Sequence, residues 1–337
     1  SSSSKTILEK HLKPALSLAE EQLSSERKGV KGLIKCHFYL AHYTDALFRS
    51  YEERLNSSEW KTSLNLRKLK KIELEELIRR FKSSRKEEKD EYSPKIHELQ
   101  KQLIIEQDEE KRLQDDRDSF LRLALDGYKR TLLTGDNYDV LVVFRLVSLW
   151  FSFSSTEDVL QNMSSTITEV PSFKFLDLVY QIASRMGSSN DAIGSSEFQQ
   201  LLVSLLKKMS LDHPYHTIFQ ILALANGDRI KEKQRNRNSF VVDKEKMITA
   251  KGLLQELSSS KPAVIKQMKQ AVEIYIKLAE LETKREDVGK KALLPRDIRG
   301  VKHLELVPVV TATIPVDRDC QYLDGSFPYF QGLSDSV

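Results

Sequence analysis

Cysteine is scarce: Cys36 and Cys320 are the two in 337 residues. Thiols this far apart in sequence make neither a disulfide framework nor the paired spacing of a zinc module, and they fit a reducing compartment. Long apolar runs are missing as well; none reaches the roughly 18 residues that a membrane-spanning helix needs. The opening stretch, SSSSKTILEK, lacks the apolar segment of a secretory signal. Neither charge dominates, since 53 Lys and Arg face 49 Asp and Glu for a formal net charge of +4. Nucleic-acid binding would gather basic residues on one face, so no direct nucleic-acid partner and no membrane partner is expected. Methionine is absent until Met163 and the chain opens on Ser1. It is therefore expected to be a piece of a longer protein.

What is present is charge and helical periodicity. Charged residues make up 30% and hydrophobic residues 40% of the chain, and the length suits about two domains of roughly 150 residues each. In HLKPALSLAEEQLS, Leu12, Leu16 and Leu23 share a stripe. A longer helix, GLIKCHFYLAHYTDALFRSYEERL, carries Leu33, Cys36, Leu40, Tyr43, Leu47 and Tyr51 at steps of three and four, widened by Phe48. His37 and His42 are five residues apart and fall on different faces, so they are no ligand pair.

Residues 58–130 predict an antiparallel coiled-coil hairpin. One arm sets Leu66, Leu69, Leu74, Leu77, Ile78 and Phe81 in a narrow seam, and the other Ile96, Leu99, Leu103, Leu113, Phe120 and Leu121. Between them KSSRKEEKDEYSP is almost wholly polar and ends at Pro94, which suits an exposed tip. Arms of about 25 residues would project about 35–40 Å. Lys82, Arg85, Lys86, Glu87, Glu88 and Lys89 at that tip are the candidate partner-contact residues. Their mixed signs suit a solvated surface as well as a docking site.

Farther on, YDVLVVFRLVSLWF is apolar enough for a buried helix, with Trp150 in the core. PSFKFLDLVYQIASRMG runs from Pro171 to Gly187 like a helix with proline at its start and glycine past its end. SEFQQLLVSLLKKMS and PYHTIFQILALANG follow over short connections, which reads as an α-solenoid without a strict repeat. GDRIKEKQRNRNSF is expected to be a loop, and KPAVIKQMKQAVEIYIKLAELET an amphipathic helix. HLELVPVVTATIPVDRD is rich in β-branched residues and predicts one or two strands. The expected organisation is a helical solenoid over 1–228, a polar connector over 229–260, and a helix-plus-strand unit over 261–337.

Two motifs invite chemistry. In LDHPYHT, Asp212 suits a helix N-cap and Pro214 the first turn. His213 and His216 would then sit at a positive helix end that favours neutral imidazoles. A zinc site needs further ligands, and no neighbouring Cys or carboxylate cluster supplies them. Gly227-Asp228-Arg229 begins like the G-D-R-H-x-x-N loop of lipid-kinase-like protein kinases. Ile230 stands where the His is needed and Lys233 where the Asn is needed. There is also no D-F-G and no Gly-rich loop. No catalytic, cofactor-binding or metal-binding residue is assigned.

DVLVVFRLVSLWF, PSFKFLDLVYQIASRMG and SLDHPYHTIFQILALANGDR resemble the FAT region of the phosphatidylinositol 3-kinase-related protein kinases. LELVPVVTATIPVD resembles that family's junction into the kinase N-lobe. The resemblance implies a mainly α fold: an α-solenoid of helical hairpins with a long coiled-coil hairpin, then the start of an α+β kinase N-lobe. It implies a segment that clamps and regulates its own kinase domain within a nuclear, DNA-damage-responsive Ser/Thr protein kinase. That kinase would use ATP and Mg, act as a homodimer and answer to protein activators. The catalytic residues and both cofactors would lie outside this chain. The competing reading is a free-standing helical-repeat adaptor for protein–protein interaction.

Overall fold

The structure, a computed structural model, describes residues 2–23, 29–83, 85–187, 196–229 and 243–281, and beyond them 289, 294, 296–299, 304, 306–307 and 314–320. The chain divides into two units, Ser1–Val142 and Val143–Val337. Both are helical, and no strand occurs among the described residues.

The first unit holds α1 (Ser2–Ile7), a π turn (Leu8–Leu12), α2 (Lys13–Leu23), α3 (Gly29–Asn56), α4 (Ser58–Ser83) and α5 (Lys86–Thr134). Pro14 has no N–H to give the Lys10 carbonyl. The wider turn ahead of it, closed by the Lys13 N–H on the Leu8 carbonyl, carries the helix past this point. Between α3 and α4, Ser57 Oγ donates to the Arg54 carbonyl at 2.8 Å and accepts the Trp60 N–H at 3.2 Å. It thus ends one helix and caps the next. The 49 residues of α5, about 74 Å long at 1.5 Å each, pack against both α3 and α4. Lys70 pairs with Glu106, Glu52 with Arg117 and Asp45 with Tyr128. Partner numbers fall as α5 advances, so the register is antiparallel.

The core of this unit is the expected stripe of α3 against α5. Leu33, Leu40, Ala41 and Phe48 are buried with Phe120, Leu121, Ala124, Leu125 and Leu132. Tyr51 meets Phe120 edge to face at 5.3 Å. Gly127 lets the two backbones close in: a Cβ there would lie 2.8 Å from Ala41 Cβ and 3.2 Å from its Cα. The buried Asp45 carboxylate accepts the Tyr128 hydroxyl at 2.8 Å, so a polar group in the core keeps a partner. His37 is buried while His42 is exposed and stacks on Phe38, the divergence that five-residue spacing predicts.

The hairpin differs from the expectation in two ways. Its tip is short. Helix ends at Ser83, Arg85 precedes the next helix at Lys86, and α5 runs straight through Pro94. Proline inside a helix costs about 3 kcal/mol, but Pro94 is exposed, so water can take the freed Asp90 carbonyl. The seam is also different. Leu66 and Leu69 point outward, 55% and 62% exposed, while Arg67 is buried against Glu110 and Glu106. Leucines three apart look like a seam in sequence. The buried guanidinium, with two carboxylates facing it from α5, turns the helix the other way.

The second unit contains α6 (Asp139–Ser152) from Val143 onward, α7 (Glu157–Glu169), a 3-10 helix (Ser172–Leu178), α8 (Val179–Ser184), α9 (Ser196–Asp212) and α10 (Pro214–Ala225). A 3-10 turn (Gly227–Arg229), α11 (Lys244–Ser260), α12 (Pro262–Ala279) and the short α13 (Arg296–Arg299) follow. Successive helices stack: α7 on α9, α9 on α10, and α10 on both α11 and α12. Trp150, Met163, Phe175, Ile182, Phe198 and Leu206 are among its fully buried side chains. The run in α6 is buried on one face only; Val140, Leu141 and Phe144 are exposed. The helix expected to start at Pro171 opens instead as seven residues of 3-10 helix. It closes at Gly187, φ 68, where any side chain would meet the backbone of Lys246.

The expected connector over 229–260 contains α11, whose Ala250, Leu253, Leu254 and Leu257 are buried. Those four are too few among polar neighbours to announce a helix in sequence. Asp243 caps it through Oδ1, which accepts the N–H of Glu245 and of Lys246. Of the expected loop at 227–240, residues 230–240 lie outside the described residues. So do most of the expected strands near 303–319, and the described residues there form none.

Candidate functional site

Of the six tip residues, Lys82 and Arg85 are exposed, and Lys89 is half-buried with its ammonium 5.4 Å from the Phe81 ring centroid. Lys86, Glu87 and Glu88 fall in the first turn of α5, and their side chains lie outside the described residues. The helix ends thus present at least two cations to solvent at the end of the hairpin.

The second candidate is the corner between α9 and α10, one residue wide. His213 is the N-cap of α10, and Pro214 takes the first helical position as expected. Asp212 does not cap α10. It ends α9, and its Oδ2 accepts the Ser172 hydroxyl at 2.5 Å. His213 is 3% exposed, and its Nε2 has no hydrogen-bond partner. Burial lowers its pKa below 6.5; Asp212 and Asp317 pull it up and His216 pushes it down. The direction favours a neutral His213 ring, and its largest cause is burial.

Against this corner lie residues from far along the chain. His216 Nε2 is 3.1 Å from the Ile314 carbonyl, and the Leu306 N–H donates to Gln267 Oε1 on α12 at 2.8 Å. The Arg318 guanidinium stands 4.9 Å from the Phe173 ring centroid, a cation–π distance. Donor atoms of Asp212, His213 and Cys320 come within 4.8 Å of one another. Burial, then Asp212 and Asp317, raise the Cys320 thiol above its ordinary pKa. Cys320 is the ligand type whose absence near His213 set aside a zinc site in sequence. No local spacing could have revealed it.

The NGDR turn is tied down by ion pairs, Asp228 to Lys251 at 3.4 Å and Arg229 to Glu273 at 2.9 Å. A groove of about 480 Å³ between α7 and α9 is lined by Glu157, Gln161, Glu197 and Gln200. Lys208 is used structurally: its Nζ donates to the carbonyls of Ile167, Thr168 and Val170, which end α7. No helix is long and apolar enough to cross a membrane among the described residues.

Comparison with known proteins gives a consistent picture. The chain is 64% identical over 338 residues to a serine/threonine-protein kinase ATM of Arabidopsis thaliana, covering all of this chain and 9% of that protein. It is 30% identical over 333 residues to a serine-protein kinase ATM of Sus scrofa, covering 94% of this chain and 10% of that one. The chain thus spans about a tenth of the relatives it matches. The solved FAT and kinase domain of CtTel1 superposes with a TM-score of 0.60 at 22% identity, over 83% of this chain and 17% of that one. No family model matches. The helical solenoid, its FAT-like fold and the sequence match along the whole of this chain agree: the chain belongs to the ATM/Tel1 serine/threonine-protein kinases, as a segment matching their FAT region.

Proposed function

We propose that this segment is a scaffold that positions and regulates the kinase domain of its parent protein. The observation that carries this reading is the docking of Leu306 and of residues 314–320 on the solenoid, through His216 to Ile314, Gln267 to Leu306, and Phe173 to Arg318. A chain held at several points along its length is fixed in position, and a body attached to it inherits that constraint. The parent is a nuclear Ser/Thr kinase of the DNA-damage response. It works with ATP and Mg, as a homodimer under protein activators, and its catalytic residues lie outside this chain. The names of the relatives support the kinase activity, and the absence of a phosphate loop and catalytic loop in this sequence supports its placement elsewhere.

The hairpin is the contact device of the segment, engaging another part of the protein or the second protomer. Exposed Lys82 and Arg85 at the end of a long helical pair support this, because such charges steer a partner more than they hold a core.

The experiment is kinase assay of the full-length protein. Gln267→Ala with His216→Ala removes two docking hydrogen bonds, about 2 kcal/mol in total. It is expected to change the phosphorylation rate by up to roughly 30-fold if docked and undocked states differ in activity. An unchanged rate in a folded variant would show that the docking does not serve the kinase. Lys82, Arg85, Lys86 and Lys89 to Ser should leave helix content intact and alter activity or dimerisation in a salt-dependent way.

A further inference from the structure

We propose that the groove between α7 and α9 binds an extended peptide of a partner protein, one that carries an arginine or lysine with an aliphatic residue two positions away. The two helices run parallel. Lys208 on α9 donates to the carbonyl of Thr168, 40 residues back, and Asp212 accepts the hydroxyl of Ser172, again 40 back. The groove lining keeps that offset: Glu157 goes with Glu197, Gln161 with Leu201 and Ser164 with Ser204. Antiparallel neighbours would show partner numbers that fall as the other helix rises. Parallel helices stacked in a solenoid build the concave surface on which such folds hold extended ligands. At about 480 Å³ the groove is of ligand size. This inference stands independently of the scaffold role.

The chemistry changes along the groove. Glu157 and Glu197 stand exposed in the first turns of their helices. Neither side chain has a hydrogen-bond or ion-pair partner among the described residues. Glutamates where other helices meet are paired: Glu106 with Lys70, Glu256 with Lys207 and Glu273 with Arg229. Each helix N-terminus offsets about half a charge. Two carboxylates over two helix ends therefore leave a surplus of about one negative charge, which a single guanidinium or ammonium balances. One turn along, buried Leu160 and half-buried Leu201 make an apolar floor. Exposed Gln161 and Gln200 offer donors and acceptors to a peptide backbone beside it. Lys208 closes the far end by holding the carbonyls of Ile167, Thr168 and Val170. From the acidic end to the floor is three to four residues of helix, about 5–6 Å. Two residues of extended chain cover about 6.6 Å and return to the same side. A cation and an aliphatic side chain two positions apart therefore reach the acidic end and the floor together.

The test is fluorescence anisotropy of the full chain with a labelled peptide, Gly-Ser-Arg-Ser-Leu-Ser-Gly. A dissociation constant below about 1 mM is expected, weakening several-fold between about 50 and 300 mM salt. The same peptide with citrulline for arginine, nearly equal in shape and uncharged, should bind about tenfold more weakly. Glu157→Gln with Glu197→Gln should cost the arginine peptide a similar factor, and Leu201→Ser should weaken it several-fold. Glu91 and Glu98 are exposed on the hairpin. Glu91→Gln with Glu98→Gln changes the net charge equally and should leave the affinity unchanged. Circular dichroism checks that the variants fold, and the citrulline comparison needs no variant at all. No anisotropy change at about 1 mM peptide, equal affinity for the citrulline peptide, or a hairpin control as weak as the groove variant would each overturn the proposal. So would a concentration-dependent dimer that the groove variant alone dissolves, with no peptide bound, since a second copy would then be the occupant.

Discussion

Gly127 and Gly32 both sit inside long helices, and intrinsic propensity alone says that Ala in place of either should stabilise by about 1 kcal/mol. The packing separates them. A Cβ at Gly32 meets nothing within 4 Å. A Cβ at Gly127 would lie 2.8 Å from Ala41 Cβ, 3.2 Å from its Cα and 3.3 Å from its N. Carbon atoms prefer about 3.5–4.0 Å, so α3 and α5 would have to part by several tenths of an ångström. Ala41 and Ala124 are completely buried there, and the groups in the way are mostly backbone, which cannot swing aside. Overpacking of this kind costs about 1–3 kcal/mol, which outweighs the propensity gain. Gly32→Ala should therefore raise the urea midpoint of the first unit by about 0.5–1 kcal/mol equivalent. Gly127→Ala should lower it by up to about 2 kcal/mol, and Gly127→Leu by more. If Gly127→Ala raises the midpoint as Gly32→Ala does, the close crossing of α3 and α5 is wrong.

Three further outcomes follow from single side chains. Arg67→Met should cost about 1–3 kcal/mol, because Glu110 and Glu106 lose the buried guanidinium they face; Arg67→Met with Glu110→Met should recover part of it in the same denaturation assay. Lys208→Met leaves three carbonyls at the end of α7 without their donor and should cost about 1–3 kcal/mol, read as a lower melting temperature of the second unit. His37 is buried with its Nδ1 unpartnered, and burial followed by the Arg130 charge lowers its pKa below 6.5. The unfolded state then binds the proton more readily, so His37 imposes no penalty above 6.5 and stability falls as pH drops below that value. The melting temperature should decline between about pH 7 and 5, and His37→Leu should flatten that slope; an unchanged slope would exclude His37 as its source.

Much of this architecture is legible from apolar spacing. The stripe through Leu33, Leu40 and Phe48 fits α3, and Pro214 with Asn226-Gly227 brackets α10. Legibility fails where one physical effect masks another. Leu66 and Leu69 satisfy the helical period yet face solvent, because the buried Arg67 and its carboxylates set the rotation of α4. Pro94 looks like a helix stop, but on an exposed face its cost is small beside the length of α5. The polar sequence of α11 hides the four residues that dock it. The corner at Asp212 and His213 is opaque for a different reason: its third member, Cys320, is brought there by tertiary docking, which no periodicity encodes.

The docking of Leu306 and of residues 314–320 on the solenoid is the point on which the scaffold reading stands. Amide hydrogen exchange tests it directly at Leu306, whose N–H is held by Gln267. In the unsubstituted chain this amide should exchange well below the unfolded rate. Gln267→Ala should speed it by about tenfold, the equivalent of one hydrogen bond of about 1.4 kcal/mol. Exchange at the unfolded rate in the unsubstituted chain, with α9, α10 and α12 still protected, would mean that the segment is not held and that the solenoid does not position what it carries.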